Sequence, residues 1–269
     1  IVDVEQWMRT FAIHHSVGDW DHFGSQNSQN MYGYKPVNGK WQLMIWDMNI
    51  VLGNSGSWAA GQNLFVTSGG GANMTKLYDN PKFRRMYLRA LKELATGAFL
   101  PANLDPVLDS KFAAYQASGV NATAPTSIKT FVSTARSSIL NAVAAEEAAV
   151  FRITSTNNIT TTNNLVTITG EAPVQVRTIW VNGIEYPISW SNVKTFVIQV
   201  VVSDPSSQLR VEGISIAGTP ISGMQTNIAV NYTGPIASPE ASLVINEIMY
   251  NPQVPDASYI EIYNNSSFA

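Results

Sequence analysis

The sequence predicts a multidomain chain: an α+β unit over residues 1–150, an all-β sandwich over 151–234, a linker over 235–241 and the opening of a further β unit over 242–269. Two observations carry this. Composition changes near Phe151: all three His and five of the seven Trp lie before it, and only twelve charged residues lie after it. The hydrophobic period changes at the same place, from helical spacing to short β-branched runs broken by turn residues.

The chain opens in what reads as a helix that ends near His14 and His15. Residues 30–34 and 40–45 follow as two short strands, joined by Lys35-Pro-Val-Asn-Gly39, whose Pro and Asn-Gly supply turn chemistry. Ser68 to Gly71 reads as a flexible loop, because no Lys-Ser/Thr pair follows to make it a phosphate cradle. Phe83, Met86, Tyr87, Ala90, Leu91 and Leu94 then recur at i, i+3, i+4, i+7, i+8 and i+11, the stripe of an amphipathic helix that Gly97 is placed to end. The pattern repeats from Leu104 to Tyr115 behind a candidate Asn103 cap, and from Ile128 to Ile139 behind Thr126.

Beyond residue 152 the expected strands are 166–169, 176–181, 184–190, 195–202, 208–214 and 226–232, with Asn182-Gly183 and Ser203 to Ser207 as turns. That spacing suggests an antiparallel sandwich. Two Pro within 234–239 mark the linker, and a new strand starts at Leu243.

Composition excludes several classes. Charged residues make up 13%, about half of the roughly 25% usual in soluble domains, which argues against a coiled coil or a charge-rich disordered chain. A net charge of -3 without any Lys/Arg run removes the footprint of a general nucleic-acid binder. Without Cys there is no disulfide framework, thiolate zinc site or thiol nucleophile. No apolar run reaches the length of a membrane span, and no signal peptide opens the sequence. Ile1 and Ala269 both read as internal cuts in a longer chain.

Chemistry concentrates in residues 14–54, which hold three His, three carboxylates and three Trp. Asp47 follows the apolar run Leu43 to Trp46; a carboxylate ending a buried strand either caps the next turn or holds a cation. Asp19 and Asp21 flank Trp20 ahead of Asn27 and Asn30. Carboxylate and amide oxygens suit a hard cation such as Mg²⁺ or Ca²⁺. For His14 and His15 the simplest role is favourable charge at a helix C-terminus, whereas His22 is open between ligand and surface residue. The Trp residues read first as core.

The run GDWDHFGSQNSQNMYGYKPVNGKWQLMIWDMN resembles the core of the spore coat protein H (CotH) kinase family: an Asp-bearing loop, an Asn before an aromatic strand, and a GKW strand that ends in WDxD. The resemblance implies the C-terminal-lobe part of an atypical protein-kinase-like fold, with ATP- and Mg²⁺-dependent (or Mn²⁺-dependent) phosphoryl transfer to protein Ser/Thr. By position, Asp21 is implied as the catalytic Asp, chosen over Asp19 because the family's Asp follows an aromatic. Asn27 or Asn30 is implied as an Asn that helps to hold the metal, Asp47 as the metal-binding Asp, and Trp41 as a wall of the nucleotide pocket. Asn49 stands at the second acidic position of WDxD, also beside the metal. The family's N-terminal lobe is expected before Ile1, so the segment by itself is expected to be inactive.

Residues 152–233 resemble the immunoglobulin-like sandwiches that follow CotH domains in large exported bacterial proteins. SLVINEIMYNPQVPDASYIEIYNNSS resembles the start of a lamin-tail domain. Together they imply an extracellular or cell-surface bacterial protein whose β modules attach it to a surface, a polysaccharide or another protein. Two other readings stay open: a non-catalytic surface protein with a pseudokinase module, and a domain that uses the Asp19/Asp21 loop only as a structural Ca²⁺ site.

Overall fold

The computed structural model describes residues 1–25, 29–65, 71–236 and 238–266. They divide into two units, Ile1–Ala149 with Ala172–Arg177 and Trp190–Thr195, and Val150–Glu171 with Thr178–Ser189 and Phe196–Ala269.

The first unit contains helix α1 (Val4–Ser16), strands β1 (Tyr32–Tyr34) and β2 (Gln42–Met44), and helices α2 (Gly71–Asp79), α3 (Pro81–Thr96), α4 (Pro101–Ala117) and α5 (Thr126–Glu146). The best-supported start is that of α3. Pro81 occupies the first turn, where its missing N–H costs nothing, and Asn80 Oδ1 accepts from the N–H groups of Lys82 and Phe83 at 3.1 and 3.3 Å. Its apolar stripe buries Tyr87, Leu88, Leu91 and Ala95. These join Met8, Phe11 and Ala12 of α1 and Phe131, Ala135, Ile139 and Val143 of α5 in one core.

Beside this stripe α3 also buries two basic residues, Arg85 and Arg89. Arg85 donates to the carbonyls of Ala172 (3.0 Å), Pro173 (2.8 Å), Val176 (2.9 Å) and Val193, and its guanidinium lies 3.4 Å from the centre of the Trp190 ring. Burial pushes its pKa well below the usual arginine value, opposed by the nearby Glu147. Arg89 pairs with Glu5 at 2.6 Å and Lys92 with Glu147 at 2.6 Å, while the other Glu147 oxygen accepts from Val174 N–H. This network is why segments 172–177 and 190–195 belong to the first unit.

Several expectations change here. Asn103 does not cap α4; the helix starts at Pro101, and the Asn103 amide donates to Gly97 C=O at 2.8 Å instead. Thr126 is the first residue of α5 and not its cap, since Pro125 precedes it without a side-chain bond. Helix α4 buries no residue, and Val107 and Tyr115 of its stripe are about half exposed. Gly71 opens α2, and Ser68 to Gly70 lie outside the described residues.

The second unit holds β3 (Arg152–Ile153), β4 (Asn158–Thr161), β5 (Leu165–Glu171), β6 (Thr178–Val181), β7 (Ile184–Glu185), β8 (Ile188–Trp190), β9 (Thr195–Val201), β10 (Ser206–Ile214) and β11 (Pro220–Tyr232). They form two sheets, ordered β4-β11-β10-β6-β7 and β3-β5-β9-β8. Alternation decides the buried face: Val166 and Ile168 on β5, Phe196, Ile198 and Val200 on β9, and Ile228, Val230 and Tyr232 on β11.

Asn182 and Gly183 both take positive φ between β6 and β7, as a two-residue hairpin demands. The run 184–190 is two strands and not one. Pro187 cannot donate to a ladder, and around it the chain leaves one sheet, through β7, and enters the other, through β8. The pairing is not wholly antiparallel, because β4 runs parallel to β11. A short helix α6 (Pro239–Ser242) precedes a separate two-stranded sheet of β12 (Leu243–Met249) and β13 (Tyr259–Asn264).

Candidate functional site

Helix α1 carries a polar stripe, Gln6, Thr10 and His14, spaced i, i+4, i+8 so that it follows one face. Gln6 Nε2 donates to Thr10 Oγ1 at 3.0 Å and to Leu43 C=O at 2.8 Å, while Gln6 Oε1 accepts from Leu43 N–H at 2.8 Å. The side-chain amide thus bonds β2 as a neighbouring strand would, on the edge that β1 leaves open. Thr10 Oγ1 adds a 3.3 Å bond to the same carbonyl. One residue before β2, Trp41 bridges to Val2 through bonds with Asp3 N–H and Ile1 C=O at 2.9 and 2.8 Å.

The end of β2 differs from the sequence expectation. Leu43 is buried, but Met44, Ile45, Trp46 and Asp47 are exposed, so Asp47 does not end a buried strand. Asp47 takes φ +53, a left-handed conformation that Asp adopts more readily than most residues. Exposure leaves the carboxylate open to a ligand. The Trp41 indole is 47% exposed and is therefore a surface group rather than core. Asn49 is also exposed, and its carbonyl accepts from Asn54 Nδ2 at 3.2 Å.

The loop that follows is bound to the Asp19/Asp21 loop by three bonds: Leu52 N–H to Val17 C=O (2.7 Å), Trp58 N–H to Gly18 C=O (2.8 Å) and Trp20 Nε1–H to Gly56 C=O (2.6 Å). Gly18 is required there. Its φ is +80, and a Cβ would sit 2.7 Å from Trp58 O.

Asp19 is 1% exposed and uses both oxygens. Oδ2 lies 2.6 Å from His14 Nδ1, and because a carboxylate only accepts, Nδ1 carries the proton. Oδ1 accepts from Asp21 N–H at 3.1 Å. Asp21 C=O accepts from Asn30 Nδ2 at 2.6 Å, and Asn30 itself sits at φ +51. The Asp21 backbone is therefore held at both its N–H and its C=O, with its side chain only partly covered. Asn27 lies outside the described residues.

All three His are buried: His14 and His15 lie in the last turn of α1, where a neutral His15 brings no charge to the helix end, and a surface role for His22 does not hold. His14 and His22 stack at 4.5 Å between ring centroids, with His15 edge-on to His22 at 4.9 Å. His15 Nδ1 lies 2.6 Å from Tyr87 Oη, which donates onward to Leu64 C=O; His22 Nδ1 accepts from Gly24 N–H at 3.0 Å. Burial, then the neighbouring His14, lowers the His15 pKa to about 3. Burial drives the His22 pKa far down as well, with His15 and His14 adding to the effect. Both rings are neutral, and the Nε2 atom of each lacks a hydrogen-bond partner. Among the described residues, no three His, Cys, Asp or Glu side chains are grouped to hold a metal ion.

Residues 1–122 match the family model described as CotH kinase protein. The CotH match takes in α1, both strands, the two joined loops and helices α2 to α4, and so includes Asp21, Asn30, Trp41, Asp47 and Asn49. No curated protein matches the chain. The structure brings Asp21 and Asn30 into direct contact and ties the loop that follows Asp47 and Asn49 to the loop that bears Asp21. It also displays residues in the CotH region that sequence reasoning missed: Gln6, Thr10, and Asp19 as a buried partner of His14. Only the i, i+4, i+8 polar spacing within an otherwise apolar helix was there to signal the first two. No helix among the described residues is long and apolar enough to cross a membrane.

Proposed function

We propose that the first unit is a CotH-type kinase module that transfers the γ-phosphoryl group of ATP to a protein Ser or Thr. The observation that carries this reading is Asp21, held at both ends of its backbone and tied through paired loops to the segment that bears the exposed Asp47, all within the CotH match. In this reading Asp21 takes the proton of the acceptor hydroxyl as that oxygen bonds to the γ-phosphorus and the bond to ADP breaks. Asp47, Asn49 and Asn30, with Asn27, offer carboxylate and amide oxygens, a donor set that fits Mg²⁺ or Mn²⁺. Bound there, such a metal would supply positive charge to offset that of the phosphate oxygens. The exposed Trp41 indole offers an apolar wall to the nucleotide.

The second unit and the β12–β13 sheet are read as an immunoglobulin-like sandwich and the opening strands of a lamin-tail domain, attachment modules of a protein exported to a bacterial surface. A second reading, a non-catalytic binding module, draws on Asn49, which puts an amide where the resemblance implies a second carboxylate.

Radiolabelled transfer from ATP with Mg²⁺ or Mn²⁺, measured for the full-length protein, separates the two. The kinase reading expects labelling of an acceptor that Asp21→Ala and Asp47→Ala each reduce at least 100-fold. Equal labelling by the variants, or none by the wild type, sinks it.

A further inference from the structure

Two hydrogen-bond chains leave one face of α1 and end at the two parts of the candidate site. The first runs from His14 Nδ1–H to Asp19 Oδ2 (2.6 Å), and from Asp19 Oδ1 to Asp21 N–H (3.1 Å). The second runs from the Gln6 amide to both backbone groups of Leu43 (2.8 Å each), four residues before Asp47. Thr10 belongs to the second chain, since it accepts from Gln6 and donates to Leu43 C=O itself, and it lies one turn from His14 on the same face of α1. The polar members of these chains are costly where they stand: Thr10, His14 and Asp19 are at most 3% exposed. A helix face packed against a core is ordinarily filled with apolar side chains, so buried polar groups there need a reason.

We propose that Gln6, Thr10, His14 and Asp19 are positioning residues that set Asp21 and the β2–Asp47 segment in one fixed relation, with α1 as the common ruler. This rests on the kinase reading of Asp21 and Asp47. The physical requirement is plain: one carboxylate must meet the acceptor hydroxyl while the other faces the phosphates, and an error of about 1 Å between them costs roughly 100-fold in rate. Loops do not hold such tolerances alone; a rigid helix bonded to both does. The Asp19 carboxylate is fixed by His14 before it fixes Asp21, so the imidazole acts through two bonds and without touching a reacting atom. The charged and polar groups that face His14 are Asp19 and the neutral rings of His15 and His22.

The test pairs His14→Leu with His14→Asn in the full-length protein, since an Asn amide can present its N–H close to where Nδ1–H stood. His14→Leu is expected to lower the phosphoryl-transfer kcat about 10- to 100-fold with KM for ATP nearly unchanged, and His14→Asn to restore most of it. Gln6→Leu is expected to act on KM for the metal nucleotide instead, through Asp47. A second readout needs no activity: exchange of the Asp21 backbone amide with solvent deuterium is slow in the wild type, at least 10-fold faster in His14→Leu, and slow again in His14→Asn. Should His14→Leu fail to fold, Asp19→Asn, which keeps an oxygen for Asp21 N–H, carries the same comparison against Asp19→Leu. Wild-type inactivity with the exchange pattern intact overturns the kinase reading and leaves the positioning network standing. An unchanged Asp21 exchange rate, or kcat and KM falling together without rescue by Asn, overturns the positioning role.

Discussion

The protein contains two β-hairpins of opposite character. The short one, β1–β2, has three residues on each strand, too few for independent stability, yet Leu43 on it is 3% exposed and both backbone groups of that residue are bonded to Gln6. The long one, β12–β13, has strands of seven and six residues, and Leu243, Ile245, Ile248, Ile260 and Ile262 are all 47–63% exposed. Strand length therefore does not decide how firmly a hairpin is placed. Anchoring does: the short hairpin borrows a helix, while the long one is held by its own ladder and by bonds within itself such as Asn246–Glu261 and Tyr259–Glu247.

This contrast can be broken in order of expected effect. Leu43→Ala should cost about 2–4 kcal/mol, because it empties a closed core site. Differential scanning calorimetry is expected to show this as a lowered transition for the first unit. Gln6→Leu leaves the Leu43 N–H and C=O without that partner and should cost about 1–3 kcal/mol, read as a shift of the denaturant midpoint. Mild acid, between pH 7.5 and 5, should act first on the short hairpin's unit, because His15 and His22 lie within it. His15 is held neutral with a folded pKa of about 3 against 6.5 when unfolded, and His22 is lowered by the same cause. Their contribution is complete above pH 6.5. As pH falls below it, the unfolded chain takes up protons that the folded one refuses, at up to roughly 1.4 kcal/mol per unit for each ring, a loss that for His15 continues to about pH 3. Melting curves at pH 7.5 and 5 should show the first transition falling, and His15→Gln should flatten that dependence. The smallest effect belongs to the long hairpin: Ile262→Ala, at an exposed site, should change stability by no more than about 0.5 kcal/mol in a urea titration.

What sequence could deliver follows the same divide. Helix α3 and the turn at Asn182-Gly183 were legible because their signals are local: a stripe at 3.6 spacing with a Gly stop, and a dipeptide that accepts positive φ. The break at Pro187 has a local signal too, because a proline lacks the N–H that one continuous strand over 184–190 would need. The burial of His14, His15 and His22 was not, because a residue near a helix end reads as solvent-facing until the tertiary partners Asp19 and Tyr87 are known. Asp47 shows the converse error. Its apolar approach, Leu43 to Trp46, looked like a core strand, but only Leu43 turns inward. Candidate residues could be named from the motif; the bonds that place their surroundings, His14 to Asp19 and Gln6 to Leu43 across 37 positions of the chain, could not.

Arg85 has a consequence for the order in which the protein is made. Its guanidinium is enclosed by carbonyls that lie 87 to 108 residues later in the chain. During synthesis at about 5–20 residues per second, α3 emerges several seconds before any of those acceptors exists. Until residues up to 193 arrive, a guanidinium without its carbonyl partners occupies the edge of the nascent helix bundle, and burying it unpaired is unfavourable. The first unit is thus completed only once its own segments 172–177 and 190–195, set between strands of the second unit, have been made, and a ribosome paused near residue 150 holds the candidate residues without the carbonyls that take up Arg85.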